Sequence, residues 1–78
     1  MKVINIKELP DEFDMEIIAI HIDPYYGTKR LEIKYENKTV IIRKPKGPNW
    51  DVYKGDILHV KRVEYKQGHY KLTQEITL

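Results

Sequence analysis

Leu31, Ile33 and Tyr35 alternate strictly with Arg30, Glu32, Lys34 and Glu36, and this period of two limits what the chain can fold into more than any other feature. Alternation places the apolar side chains on one face of an extended segment and the charges on the other. The segment is therefore a strand with a dry face and a wet face, and it needs partners. Met15 to Ile22 supplies one. It is rich in β-branched residues, with Ile18, Ile20 and Ile22 on one side and Ile17, Ala19 and His21 on the other, which predicts a strand covered largely on both faces. Thr39 to Lys44 supplies another, joined to the alternating strand through Glu36-Asn37-Lys38, a polar connection of hairpin length.

Pro45-Lys46-Gly47-Pro48-Asn49 then stops the sheet, because two prolines and a glycine in five residues cannot continue a ladder. Gly55-Asp56 leads into a fourth strand, Ile57 to Lys66. Its apolar residues change parity between Leu58 and Val60 on one side and Val63 and Tyr65 on the other, predicting a β-bulge near Lys61 or Arg62. Gln67-Gly68 forms a turn into a fifth strand, His69 to Thr73, with an extension toward Leu78 and with Tyr70 and Leu72 inward. A helical period lasts no more than one turn, at Asn49 to Lys54. Three meandering strands, an irregular break and a hairpin predict an all-β chain. The layout is that of a small five-stranded oligonucleotide/oligosaccharide-binding (OB) fold barrel, with an SH3-like barrel as the alternative. Residues 1–14 are read as a lead-in and 15–78 as the barrel.

The 78 residues provide one domain, near the lower limit at which a single core suffices. No cysteine is present, so disulfides and thiolate metal sites contribute nothing and an intracellular, cytoplasmic setting is expected. No apolar run approaches the length of a membrane-spanning helix, and no signal-peptide layout opens the chain. Fourteen Lys and Arg stand against twelve Asp and Glu, a net charge of only +2. The distribution says more. Residues 1–27 carry two basic and six acidic side chains, whereas residues 28–46 carry seven basic and two acidic. Positive charge gathered in one part of a small fold favours a polyanionic partner.

Ile4-Asn5-Ile6-Lys7-Glu8-Leu9-Pro10, followed by Met15-Glu16-Ile17-Ile18-Ala19-Ile20, resembles the opening of archaeal single-stranded DNA-binding proteins and of replication protein A OB domains. Trp50-Asp51-Val52-Tyr53-Lys54-Gly55-Asp56-Ile57-Leu58-His59-Val60 resembles the same family's approach to its fourth strand, and Gly68 sits where the family turns into the fifth. The resemblance implies an OB barrel that grips single-stranded nucleic acid. Two departures matter: the proline-rich link Lys44 to Asn49 stands in place of a helix and departs from the family pattern, and the lack of the acidic C-terminal tail of some members gives no ground to expect tail-mediated recruitment of partners.

Single-strand binding needs aromatic faces for bases and cations along the backbone track. Tyr25 and Tyr26, in Asp23-Pro24-Tyr25-Tyr26-Gly27-Thr28 between the first two strands, are candidate stacking residues, with packing at the barrel end as their other role. Lys29, Arg30, Lys34, Lys38, Arg43 and Lys44 form a candidate basic stripe, although Glu32 and Glu36 on the same strand also allow ordinary cross-strand pairs. Lys61 joins the candidate cations. Trp50 is either a stacking platform or a plug closing the barrel, and Tyr65 and His69 flank the last hairpin as further candidates. Catalysis is not expected. The chain has no Ser or Cys nucleophile, its three histidines lack metal-ligand spacing, and no glycine-rich phosphate loop is present. The expected partner is single-stranded DNA or RNA, with no cofactor, small-molecule substrate or membrane. Two other roles are set beside it: duplex DNA binding on an SH3-like barrel, and a module for protein interaction or self-association.

Overall fold

The computed structural model describes residues 2–74. Five antiparallel strands, β1 (Glu12–Ile22), β2 (Lys29–Tyr35), β3 (Lys38–Arg43), β4 (Ile57–Lys66) and β5 (His69–Gln74), form one curled sheet in the order β3-β2-β1-β4-β5, an open half-barrel. Two single-turn 3₁₀ helices, Ile6–Glu8 and Pro48–Trp50, lie in the lead-in and in the β3–β4 connection. The alternating strand behaves as its pattern requires: Leu31, Ile33 and Tyr35 are buried in β2, while Arg30 and Lys34 are exposed. Leu9, Phe13, Met15, Ile17, Ile42, Trp50, Val52, Val60 and Leu72 complete the core, and the Phe13 and Tyr35 rings pack with centroids 5.2 Å apart.

Turn chemistry fixes the registers. Tyr35 pairs with Lys38 across a two-residue turn in which Glu36 and Asn37 both have positive φ, the backbone whose twist matches that of a tight hairpin. At the β4 entrance, Gly55 N–H donates to Ile17 O and Ile17 N–H donates to Asp56 O, each at 2.8 Å. The Asp56 carboxylate accepts from Tyr53 N–H at 2.8 Å. Gly55 takes φ of 95°, which explains why a glycine precedes this aspartate.

Three sequence expectations change. β1 begins at Glu12 rather than Met15, because Phe13 already pairs with Val60 and is buried. A bulge within β1, between Ile17 and Ala19, puts Ile17 opposite Ile33 and Ile20 opposite Leu31, so Ile17 and Ile20 face the core together instead of opposing faces. The β4 bulge lies between Glu64 and Lys66, not at Lys61 or Arg62. Arg62 stays in register opposite buried Leu72, and its side chain is 20 % exposed. An arginine holds this inward position because its stem is apolar and its head finds partners. The guanidinium donates to Lys7 O and to Asp11 Oδ1, the latter at 2.7 Å, and lies 4.6 Å from the centre of the Tyr70 ring.

The lead-in is thereby tied down at two points. Ile4 N–H donates to Ile41 O and Ile41 N–H donates to Lys2 O, so residues 2–4 run parallel to the outer edge of β3. The 3₁₀ turn that follows is closed by a reciprocal cap: Asn5 accepts from Lys7 N–H, and Glu8 accepts from Asn5 N–H.

On the outer face, His59 lies between two carboxylates, Nε2 to Glu12 at 2.6 Å and Nδ1 to Asp14 at 2.6 Å. Both ring nitrogens must donate, so the bound form is the imidazolium. The Glu12 hydrogen bond, reinforced by that to Asp14, raises the His59 pKa above its ordinary 6.5, and the same bond lowers Glu12 below 4.5. The histidine's share of stability is complete below pH 6.5 and is lost as pH rises through its raised value. The Glu12 share is present above pH 4.5 and is lost as pH falls through its lowered value. The melting temperature is therefore expected to be highest in mild acid, with an alkaline-side decline absent from His59→Gln when both are followed by circular dichroism across pH.

Candidate nucleic-acid interface

Antiparallel pairing sets β3 and β5, the two ends of the sheet, parallel to each other across the open side of the half-barrel. Three adjoining hollows of about 380, 370 and 430 Å³ lie in this region, and Arg43 lines all three. Six cations border them, Lys29, Arg30, Arg43, Lys44, Lys46 and Lys71, against one carboxylate, Asp51. The β2 start and the β3 end come together because Arg30 is opposite Arg43, a register carried on by a hydrogen bond from Lys44 N–H to Lys29 O at 3.1 Å. The third hollow adds apolar and aromatic surface from Ile6, Pro45, Trp50, Tyr65, Tyr70 and Leu72. Tyr65 carries its ring at the β4 bulge, 6.2 Å from His69 and with the Lys71 ammonium 5.9 Å from its centre.

Tyr25 and Tyr26 project from the β1–β2 turn, 91 % and 84 % exposed. Asp23 organises this turn, its carboxylate accepting from Tyr25 N–H at 2.8 Å and Tyr26 N–H at 3.0 Å, while Gly27 N–H closes onto Asp23 O. Those donors, that of Tyr26 first, hold the Asp23 pKa below its ordinary value. The base of the turn, at Asp23 and Thr28, shares a small hollow of about 160 Å³ with Arg30. The two rings therefore stand near the basic end of β2 on a turn held by Asp23.

Of the residues singled out in the sequence, Lys29, Arg30, Arg43, Lys44 and Tyr65 converge on the hollows, and Tyr25, Tyr26 and His69 flank them. Lys34 and Lys38 lie at the opposite end of β2 and β3. There Lys34 is opposite Glu16 and Thr39, beside Asp14 and Glu36. Lys61 is opposite Glu12 and Thr73 on β4. Trp50 is 5 % exposed and belongs to the core, so the plug, not the open stacking platform, describes its packing.

Lys46, Tyr70 and Lys71 were not singled out. Lys46 was legible as the second lysine of Lys44-Pro45-Lys46, whereas nothing in β5 alone reveals that its start faces the end of β3. No protein-family model matches the chain, and no curated protein or solved structure is detectably similar to it.

Proposed function

We propose that this protein is a non-catalytic OB-type barrel that binds single-stranded nucleic acid, DNA or RNA, in the basic hollows around Arg43. The observation that carries the reading is the convergence of six cations and one carboxylate on adjoining concavities that also present tyrosine surface. Backbone phosphates meet the cations, and bases stack on Tyr65, Tyr70 and the projecting pair Tyr25 and Tyr26. The OB assignment draws support from the strand order. β1 pairs with both β2 and β4, joining a meander to a hairpin, and leaves β3 and β5 parallel across the seam. In an SH3-like barrel the first strand pairs with the last, which does not occur among the described residues.

Salt dependence tests the proposal. Each neutralised phosphate of a single strand contributes about 0.7 to the slope of log affinity against log salt. A slope of about −3 to −4 is expected if most of the six cations are engaged. A flat response, or equal affinity for duplex and single strand, counts against it. Failure to bind any oligonucleotide at low salt favours a protein-interaction module.

Tyr26→Ala separates stacking from packing. Loss of a stacked base costs about 1–3 kcal/mol of affinity, while a ring 84 % exposed leaves no cavity behind. The expected result is weaker oligonucleotide binding at an unchanged melting temperature. A melting point lowered by many degrees with affinity intact would assign the ring to packing.

A further inference from the structure

Arg30 and Arg43 are directly opposite each other on β2 and β3 and both are exposed. Like charges opposed across an antiparallel pair destabilise the sheet, so the arrangement calls for a compensating anion. The chain provides one only in part. Glu32, the acid nearest in β2, accepts from His21 at 3.1 Å, and the Asp23 carboxylate, which accepts from the backbone of Tyr25 and Tyr26, acts on Arg30 through its charge without a direct ion pair. Neither arginine makes an ion pair among the described residues. Instead the two line one hollow of about 380 Å³ together with Lys29, the Thr28 hydroxyl-bearing residue and the lead-in residues Val3 to Ile6.

We infer that Arg30 and Arg43, with Lys29 and Thr28, form a receptor for a terminal phosphate monoester of the bound strand. The inference rests on the nucleic-acid reading above and sharpens it. An internal phosphodiester carries a single negative charge, whereas a monoester carries about −1.5 to −2 near neutral pH with three strong acceptor oxygens. Two guanidinium forks and an ammonium are balanced more nearly by the latter, and their donors can serve its three terminal oxygens. An internal phosphate would leave more of the opposed positive charge uncompensated.

The test compares short single strands of one sequence bearing a 5′-phosphate, a 3′-phosphate or hydroxyls at both ends, titrated calorimetrically at fixed salt. One phosphorylated form is expected to bind about tenfold tighter than the hydroxyl-ended strand, and the identity of that form gives the polarity of the bound strand. Arg30→Gln and Arg43→Gln should each abolish the preference. Neither should lower the melting temperature, because each removes a like-charge contact. Equal affinity for all three strands overturns the terminal-phosphate receptor while leaving single-strand binding intact, and a preference that survives both substitutions also overturns it. Absence of binding by all three removes the underlying function as well.

Discussion

Arg43→Glu is expected to lower affinity for single-stranded oligonucleotides of every sequence by about tenfold to a hundredfold, the scale of losing one charge-assisted contact and adding a repulsive one. Arg43 lines all three hollows, so its reversal changes the potential along the whole basic region. The salt slope should become shallower by about 1 to 1.5 as the reversed charge also weakens its neighbours. Stability should move the other way. The substitution turns the opposed Arg30–Arg43 pair into an opposite-charge pair, worth about 0.2–1 kcal/mol across strands. A variant that binds as tightly as the parent would remove the hollows from consideration as the interface. Fluorescence titration and thermal melting of the same preparation read both effects.

Ile33→Ala is expected to produce the opposite signature, a loss of about 2–5 kcal/mol of stability. Ile33 is fully buried, lies between Ile17 of β1 and Val40 of β3, and belongs to the core cluster. Truncation leaves a cavity that two flanking strands in fixed register cannot close. A domain of this size has few kcal/mol in reserve, so the variant should be largely unfolded at room temperature. Ile20→Ala makes the control, since Ile20 is only partly buried beyond the β1 bulge and should cost less. If urea denaturation places the two variants at the same midpoint, the complete burial of Ile33 does not set its cost apart from that of half-buried Ile20.

The strands were legible because alternation is a local property. β2 reads correctly from Arg30 to Tyr35, and the Glu36-Asn37 and Gln67-Gly68 turns are written in adjacent residues. Bulges were not, since they depend on what lies opposite. Ile18 and Ala19 look alike to a periodicity count, and only pairing with Leu31 and Ile33 fixes where β1 slips. Arg62 misled for a related reason. A cation in an apolar parity suggests that the strand has shifted, but here its head reaches Lys7 and Asp11 in a segment more than fifty residues away. The candidate site was half visible. Lys29, Arg30, Arg43 and Lys44 cluster in sequence, whereas Tyr70 and Lys71 join them only because the sheet curls until β5 faces the end of β3. Lys34 belonged to the same sequence stripe, yet antiparallel geometry carried it to the far end among acids.

The short parallel contact of residues 2–4 with β3 has a bearing on how copies of this chain can associate. A sheet extends from molecule to molecule only if it offers a bare edge on each side, one to receive and one to give. Here the middle of the β3 edge, at Ile41, is already occupied from within the chain. The lead-in thus obstructs sheet extension through the middle of β3, and a second molecule that pairs along the whole of that edge must first displace residues 2–4.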